Sequence, residues 1–329
     1  MKLPIPYKET LAAHRRRFSR MVDKRGPPTM KRLYESLQGD LTRKLAALGP
    51  RKQTFTAQQH RVALAQVKQG LKLTERRMAG ELGDISRDAQ VEALHGLSSD
   101  LAMLEKTFTG ADVVLPLDEA MRFQGIVAGR RESLLRMHED SMDAWGAWNV
   151  RQVEDELTRS LMLGEQFSET IDRVDGITQE AWWQAERITR TETAFAFNAA
   201  QRDGLVAASE EIPGLAMRWV EYVDDATGEG LDDRVDIDSL MMHGQVADLG
   251  GKFTMPLTLP DGSPVPKDKE HKVKHLMGKS WAQPPNRPND RATLVPWKSD
   301  WGIPGWRCVG GTRQPIILPA APQYEDLTL

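Results

Sequence analysis

The pair of residues with the clearest metal-binding spacing is His271 and His275, four positions apart. On a helix this spacing puts both imidazoles on one face, and Asp268 and Glu270 lie close by in sequence. The same segment, DKEHKVKHLMG, contains three lysines, whose charge repels a cation. The pattern therefore favours a solvated, partly helical stretch over a metal site.

A second group of candidate ligands consists of the acids at positions 224, 225, 232, 233, 236 and 238. Their spacing does not match the twelve-residue calcium loop, which has a central glycine and a terminal glutamate. We expect an acidic surface loop, with no metal and no cofactor.

Covalent catalysis has little support in the sequence. Cys308 is the only cysteine, so an internal disulfide is excluded, and it has no histidine nearby in sequence. There is no glycine-flanked serine, no GxxxxGK[ST] loop and no GxGxxG segment opening a helix. We therefore expect that the protein is not an enzyme.

Glu192 is the most unusual carboxylate in the chain. It lies in a predicted helix from Thr178 to Gly204, on a stripe with Ala185, Ile188 and Ala199. Burying an unpaired charge costs several kcal/mol. Glu192 is therefore predicted to be a paired structural acid.

Charge is distributed unevenly along the chain. Residues 1–80 contain 19 Lys or Arg and 5 Asp or Glu, whereas the remainder contains 25 against 42. Such segregation predicts contact with nucleic acid or with an acidic protein surface. A solvated helical face, or neutralisation by the chain's own acids, is an equal alternative. The candidate contact residues are Arg15, Arg16, Arg17, Arg20, Lys24, Arg25, Lys31 and Arg32.

The elements that position these residues are mostly helical. Apolar residues recur every three or four positions from about residue 29 to the end of the Glu192 helix, which predicts successive amphipathic helices. Gly26-Pro27-Pro28 reads as a helix stop. The glycines at 70, 80, 83 and 96 leave open whether residues 54–108 form one helix or two.

After Gly204 the hydrophobic period changes to two. Residues 217–223 read as a half-buried strand, and residues 243–246, 252–255 and 293–297 read as shorter extended pieces. The last 32 residues are rich in proline and tryptophan. Trp297, Trp301 and Trp306 are candidate anchors that dock on the parent domain or on a neighbouring subunit.

The predicted fold is therefore mainly α, with an elongated helical N-terminal body, a small C-terminal α+β domain and an extended C-terminal tail. The predicted divisions are a basic arm at 1–28, a helical body at 29–176, the α+β domain at 177–297 and the tail at 298–329. No apolar run reaches the roughly 18 residues that a membrane span requires. The N-terminus also lacks the apolar core of a secretion signal.

Residues 187–192, Arg-Ile-Thr-Arg-Thr-Glu, are followed by Ala194, Ala196 and Asn198. This segment resembles the R-I-A-R-T-E…N helix of the phage Mu F-like minor head proteins, also called phage head-morphogenesis proteins. Trp219 and Asp224 stand where that family has a tryptophan strand and an aspartate turn.

Two further segments follow in the family's order. Residues 240–246, LMMHGQV, resemble its L-x-x-H-G-x-V segment, and residues 284–292, PPNRPNDRA, resemble its closing P-P-x-H-P-N-C-R-C segment. The resemblance covers about residues 150–297. The residues matching the family motifs are Arg187, Arg190, Thr191, Glu192, Asn198, Trp219, His243, Gly244, Asn289 and Arg291.

This chain departs from the family where many members carry C-x-x-C and C-x-C, an arrangement suited to zinc. Asp236 and Ser239 stand at the first pair, Asp290 and Ala292 at the second, and Arg287 at the closing histidine. Without thiolates a structural zinc is not expected. The strands and the packing of Trp219 are expected to hold this domain together instead.

The resemblance implies a low-copy minor head protein in a virion, assembled in the host cytoplasm and bound to the portal protein or the major capsid protein. A DNA-binding or DNA-escort role through the basic first 80 residues, on double-stranded DNA, is the alternative. An enzyme is a third and weaker one. If the resemblance holds, Glu192 is expected to pair with Arg291 or Arg218. Glu192→Gln is then expected to lower the free energy of unfolding by roughly 1–3 kcal/mol.

Overall fold

The computed structural model describes residues 3–48, 54, 56–113, 120–163, 165–224, 230–231, 235–288 and 290–318. It is about 65% helical, with a few small antiparallel sheets near the C-terminus. The prediction of a mainly α protein with a small C-terminal α+β part is confirmed. Asn289 and residues 319–329 lie outside the described residues.

The N-terminal part is helical without interruption. Helix α1 (Ile5–Ser19) leads through a π-helical segment (Arg20–Arg25) into α2 (Gly26–Ala46). The helix stop predicted at Gly26-Pro27-Pro28 is wrong, because proline is tolerated in the first turn, where its missing N–H has no helical partner. An added Cβ on Gly26 would lie 2.7 Å from Thr189 Cγ2, so this glycine serves close packing.

The next three helices are each more than 40 residues long. Helix α3 (Ala57–Thr109) is a single helix of 53 residues that ends before Gly110, whose φ is 75°. Helix α4 (Ala120–Leu163) has 44 residues. Helix α5 (Phe167–Ala208) includes both predicted boundaries, Thr178 and Gly204, so both are wrong. A Cβ on Gly204 would lie 2.6 Å from Leu97 and 2.8 Å from Leu94, so this glycine is a packing position.

The C-terminal part contains a three-stranded antiparallel sheet in the order β2-β1-β5. Strand β1 (Ala216–Val220) lies between β2 (Val246–Asp248) and β5 (Thr293–Trp297), with Trp219 opposite Leu294. All five residues of β1 are buried, so the prediction of a half-buried strand is wrong. A central strand covered on both faces loses the alternation that a half-exposed one shows.

Smaller elements complete this part. Helix α6 (Ile237–Met242) precedes β2, and β3 (Phe253–Thr254) pairs with β4 (Ser280–Trp281) around helix α7 (Lys267–Val273). A 3₁₀ turn (Ser299–Trp301) and a hairpin of β6 (Trp306–Val309) and β7 (Thr312–Pro315) follow β5. Residues 298–318 therefore fold into these elements and do not form the extended tail that the sequence predicts.

The chain divides into two compact units. The first contains Met1–Arg20, Asp88–Gly129 and Ala194–Leu329, and the second contains Met21–Arg87 and Arg130–Thr193. The second has a core of leucines, methionines and Trp145 from its helices. In the first, α1 contacts β5, and Phe197 meets His14 and Phe18 edge to face. Neither unit is one consecutive segment, and the four predicted segments stay a prediction.

Candidate functional site

Asn198 is the centre of a buried hydrogen-bond network in the first unit. Its Nδ2 donates to the carbonyls of Ala194 and Ala292, at 3.0 and 3.1 Å. Its Oδ1 accepts from the Thr293 hydroxyl at 3.0 Å and from the Leu294 amide at 2.9 Å. One fully buried side chain thus holds α5 to the first residues of β5.

His14 extends this network to α1. Its Nε2 lies 2.8 Å from the Thr293 hydroxyl, which already donates to Asn198, so the imidazole donates from Nε2. Burial, together with the charges of Arg17 and Arg15, lowers the pKa of His14 to about 3. The imidazole is therefore neutral at physiological pH and acts here as a hydrogen-bond donor.

Two buried side chains, Trp219 and Glu221, form a second group with the half-buried His243. The Trp219 indole donates to Glu221 Oε1 at 2.7 Å, and the Glu221 amide donates to His243 Nδ1 at 3.2 Å. Burial, and then the charge of Asp290, raises the pKa of Glu221 well above its usual value. The side chain is enclosed, and its carboxyl is directed at Trp219.

The His243-Gly244 turn joins this group to the hairpin. Gly244 has φ 82° and donates to the Trp219 carbonyl at 2.9 Å. The Trp306 indole donates to the His243 carbonyl at 2.8 Å. Glycine is needed here because the left-handed conformation disfavours other residues. Trp306, predicted as an anchor, docks within its own unit.

Arg287, Asp238, Ser239 and Asp290 come together in an ionic cluster. Arg287 Nε donates to Asp238 at 2.5 Å, and its Nη2 donates to the Ser239 hydroxyl at 3.2 Å. Asp290 accepts from the amides of Ala292 and Asn286. Burial raises the pKa of Asp290, although the nearby Arg287 opposes this. Asp236 caps α6 by accepting from Ile237.

Within the described ranges, no three His, Cys, Asp or Glu side chains are grouped so that they could hold a metal ion. Arg287 instead brings a positive charge to the carboxylates of Asp238 and Asp290. His271 and His275, the pair with metal-like spacing, are both exposed on or just after α7. The absence of a bound metal stays a prediction.

The other two tryptophan anchors are also buried in the first unit. The Trp301 indole donates to Glu105 at 3.1 Å and stacks on Phe108 with ring centroids 6.2 Å apart. Lys298 pairs with the same Glu105 at 3.2 Å. Trp297 donates to the Ile303 carbonyl at 2.9 Å. Residues 298–306 are thereby fixed to the end of α3 and to β5.

Glu192 lies in the second unit, whereas Arg291 and Arg218 lie in the first, so its predicted ion pair with either arginine stays a prediction. It accepts from the Ser141 hydroxyl at 2.9 Å, and burial raises the pKa of its carboxyl. An apolar stripe shows which face is buried but not which residues cover it, so this contact with Ser141 could not be read from the sequence. Arg291 lies over the Tyr222 ring at 4.8 Å, and Arg218 over the Tyr7 ring at 5.8 Å.

Ser86, His138 and Glu192 have the composition of a nucleophilic triad. Ser86 Oγ lies 3.2 Å and Glu192 Oε2 lies 4.0 Å from the same nitrogen, His138 Nε2. A triad requires the acid and the nucleophile on opposite ring nitrogens. Ser86 is also only 1% exposed, and burial lowers the pKa of His138 to about 4. This arrangement therefore packs helices together, because no carboxylate orients His138 from its opposite ring nitrogen to take the serine proton.

The remaining motif residues in the second unit make short-range contacts. Arg190 pairs with Glu186 at 2.7 Å and lies 3.6 Å from Asp23. The Thr191 hydroxyl donates to the Arg187 carbonyl at 2.8 Å, and the Arg187 side chain is exposed. These contacts stabilise α5 and its nearest neighbours.

A cleft of about 400 Å³ in the second unit holds an acidic pair that the sequence did not suggest. Lys72 Nζ lies 2.9 Å from Glu75 and 3.6 Å from Asp143. Burial, and then Asp143, raises the pKa of Glu75. The lysine between the two acids disfavours a bound cation, so the group is best described as a salt-bridged helix contact.

The basic residues near the N-terminus divide into two groups. Arg15 donates to the carbonyls of Glu221 and Val223, both at 2.7 Å, while Arg17 pairs with Asp100 and Arg20 with Glu92. The other predicted contact residues have exposed side chains: Arg16, Lys24, Arg25, Lys31 and Arg32. Part of the positive charge is thus used for internal contacts.

Two central residues, Glu221 and Glu105, were not predicted. Glu221 directly follows β1, and period two puts it on the same face of the chain as Trp219. Glu105 follows Leu101 by four positions on the apolar stripe of α3. An acid on an apolar face was the signal used for Glu192, and it could have identified both.

No family model, curated protein or solved structure matches this chain. None of the described helices combines the length and the apolar character that crossing a membrane requires.

Proposed function

We propose that this chain is a minor head protein of a phage or phage-like particle. It binds the portal protein or the major capsid protein on the capsid interior, and supports head assembly, DNA packaging or DNA ejection. It is made in the host cytoplasm and becomes part of the virion. The order of the four family-like segments in the sequence is the starting point for this proposal.

The observation that carries the proposal is that Asn198, at the end of the first family-like segment, and the other three segments make contacts within the first unit. Asn198 bonds to Ala292 and Leu294, and the Trp219 amide donates to the Gln245 carbonyl at 2.8 Å. Arg287, from the closing segment, bonds to Asp238, close to the H-G segment. Contacts between these segments across about 100 residues of sequence are what a shared structural motif requires, and they support the proposal.

The chemistry of these contacts supports a structural role. The polar atoms of Asn198, Glu221 and Arg287 are directed at other parts of the chain, and none of the three is exposed. A catalytic group has to reach a substrate. We therefore propose that the chain acts by binding other proteins and that it does not catalyse a reaction.

Coexpression with the portal protein and the major capsid protein encoded near its gene tests the proposal. The protein should sediment with portal rings or with heads, and should stay in the supernatant when both partners are omitted. An unrelated soluble protein of similar mass serves as the control for trapping. Failure to sediment with either partner, with the fold intact by circular dichroism, would contradict the proposal.

A further inference from the structure

The most concentrated positive surface in the described C-terminal part lies on α7 and the turn that follows it. Five lysines occur between residues 267 and 279, against two acids, and all five are exposed. Lys272 pairs with Asp236 at 2.9 Å. The other four are called the lysine surface here: Lys267, Lys269, Lys274 and Lys279.

The charges of the lysine surface are largely uncompensated. Lys274 lies 3.6 Å from Glu270, an exposed pair of the kind that contributes little. Among the described residues, Lys267, Lys269 and Lys279 have no carboxylate within salt-bridge distance. His271 and His275 are exposed between them. The surface can therefore offer several cations to one ligand.

The segment that carries these lysines is held in place by apolar side chains and by backbone pairing. Val273 and Leu276 are buried beneath it. The Met255 amide donates to the Lys279 carbonyl at 2.9 Å, which ties the turn to the strand before it. Lys267, His271 and Lys274 recur at helical spacing, so they lie on one outward face.

The character of this surface distinguishes between two kinds of acidic partner. Protein interfaces are depleted in lysine and have apolar or aromatic anchors at their centre. None of the exposed large hydrophobic side chains lies between residues 258 and 281. A phosphate backbone needs no such anchor and is bound mainly through lysine and arginine.

We propose that the lysine surface binds the phosphate backbone of double-stranded DNA without reading its sequence. This differs from the prediction that placed DNA contacts in the first 80 residues. It does not depend on the proposed head function, because the same cations would meet any DNA duplex.

The test uses the full chain and a labelled duplex of about 30 base pairs, with affinity measured from about 50 to about 200 mM salt. A quadruple variant changes the lysine surface to glutamine: Lys267→Gln, Lys269→Gln, Lys274→Gln and Lys279→Gln. Each lost phosphate contact lowers the log-log salt slope by about 0.9, so four lower it by roughly 3.6. Affinity at the lowest salt should fall by about tenfold or more.

Two further variants make the result specific. A charge-matched control changes four lysines elsewhere in the chain: Lys8→Gln, Lys44→Gln, Lys68→Gln and Lys106→Gln. Lys68 and Lys106 are in exposed ion pairs. This control should keep the DNA affinity and the salt slope of the unchanged protein. A rival variant changes exposed basic residues near the N-terminus: Arg16→Gln, Lys24→Gln, Lys31→Gln and Arg32→Gln. Circular dichroism and thermal melting establish that all three remain folded.

Three outcomes would overturn the proposal. The first is that the unchanged protein does not bind DNA at low salt. The second is that the rival variant loses affinity while the lysine-surface variant does not. The third is that polyglutamate binds as tightly as DNA and depends on the same four lysines, which would indicate an acidic protein as the partner.

Discussion

Replacing Asn198 by leucine removes the buried network at its centre while keeping a side chain that branches at Cγ. Three buried groups then lose a partner: the Ala292 carbonyl, the Thr293 hydroxyl and the Leu294 amide. The Ala194 carbonyl lies within α5 and has helical partners. The variant thus tests the contact between α5 and β5 in isolation.

The expected magnitude follows from these three groups. A buried polar group left without a partner costs about 1–3 kcal/mol. Added apolar contact from leucine offsets a part of this, so we expect a loss of about 3–6 kcal/mol in the free energy of unfolding. Domains of ordinary stability have only about 5–15 kcal/mol in total. Asn198→Leu should therefore be severely destabilising.

Urea unfolding followed by both circular dichroism and tryptophan fluorescence is the suitable assay, because agreement of the two probes tests cooperativity. Asn149→Leu is the matched control. Asn149 is also a buried helical asparagine, but its Nδ2 donates only to Trp145, four residues earlier. Its Oδ1 has no partner among the described residues, so replacing it should cost little or stabilise.

Thr293→Val provides a milder version should Asn198→Leu fail to fold. It removes one hydroxyl, which accepts from His14 and donates to Asn198, and should cost about 1–3 kcal/mol. The reasoning is refuted if Asn198→Leu and Asn149→Leu change the free energy of unfolding by equal amounts.

Three further predictions concern the buried acids. Glu221→Gln keeps a hydrogen-bond acceptor for the Trp219 indole. Because burial raises the pKa of Glu221, the wild-type protein loses stability as the pH rises above the usual glutamate range. In urea titrations the variant should therefore be more stable than the wild type at pH 8 and about equally stable at pH 4. A less stable variant at pH 8 would mean that the ionised carboxylate is favoured. Glu192→Gln should cost less than about 1 kcal/mol at pH 7, because glutamine still accepts from Ser141, the hydrogen-bond partner within its own unit. A loss above about 2 kcal/mol would instead indicate a charged partner. Trp301→Phe should lower the free energy of unfolding by about 1.5–3 kcal/mol, because the hydrogen bond to Glu105 is lost. The control Trp183→Phe changes a side chain that is 65% exposed, and it should cost almost nothing in the same assay. Similar losses for both variants would contradict the anchoring role of Trp301.

The class of the fold could be predicted because helical periodicity and strand alternation are local properties of a sequence. The helix boundaries could not, because Gly26 and Gly204 have the local character of helix ends. Their real role depends on Thr189 and on Leu94 and Leu97, which are distant in sequence. A glycine required for close packing cannot be told from a glycine that ends a helix without knowing its neighbours.

Several residues of the candidate site could be predicted from the sequence, but the contacts between them could not. The sequence identified four residues that contact the strands of the first unit: Asn198, Trp219, His243 and Gly244. The contact of Glu192 with Ser141 was not identified, because Ser141 lies on another helix and carries no charge that would mark it. Arg287 was noted only as a departure from the family, although it is the cation of the buried acidic cluster.

The number of copies of this protein in a purified particle tests the proposed function most directly. Heads assembled from the coexpressed portal and capsid proteins can be purified by sedimentation, and their protein content measured by quantitative mass spectrometry. A minor head protein should be present at a fixed ratio to the portal and far below the number of capsid subunits. Its absence from purified heads, or an amount equal to that of the capsid protein, would contradict this account.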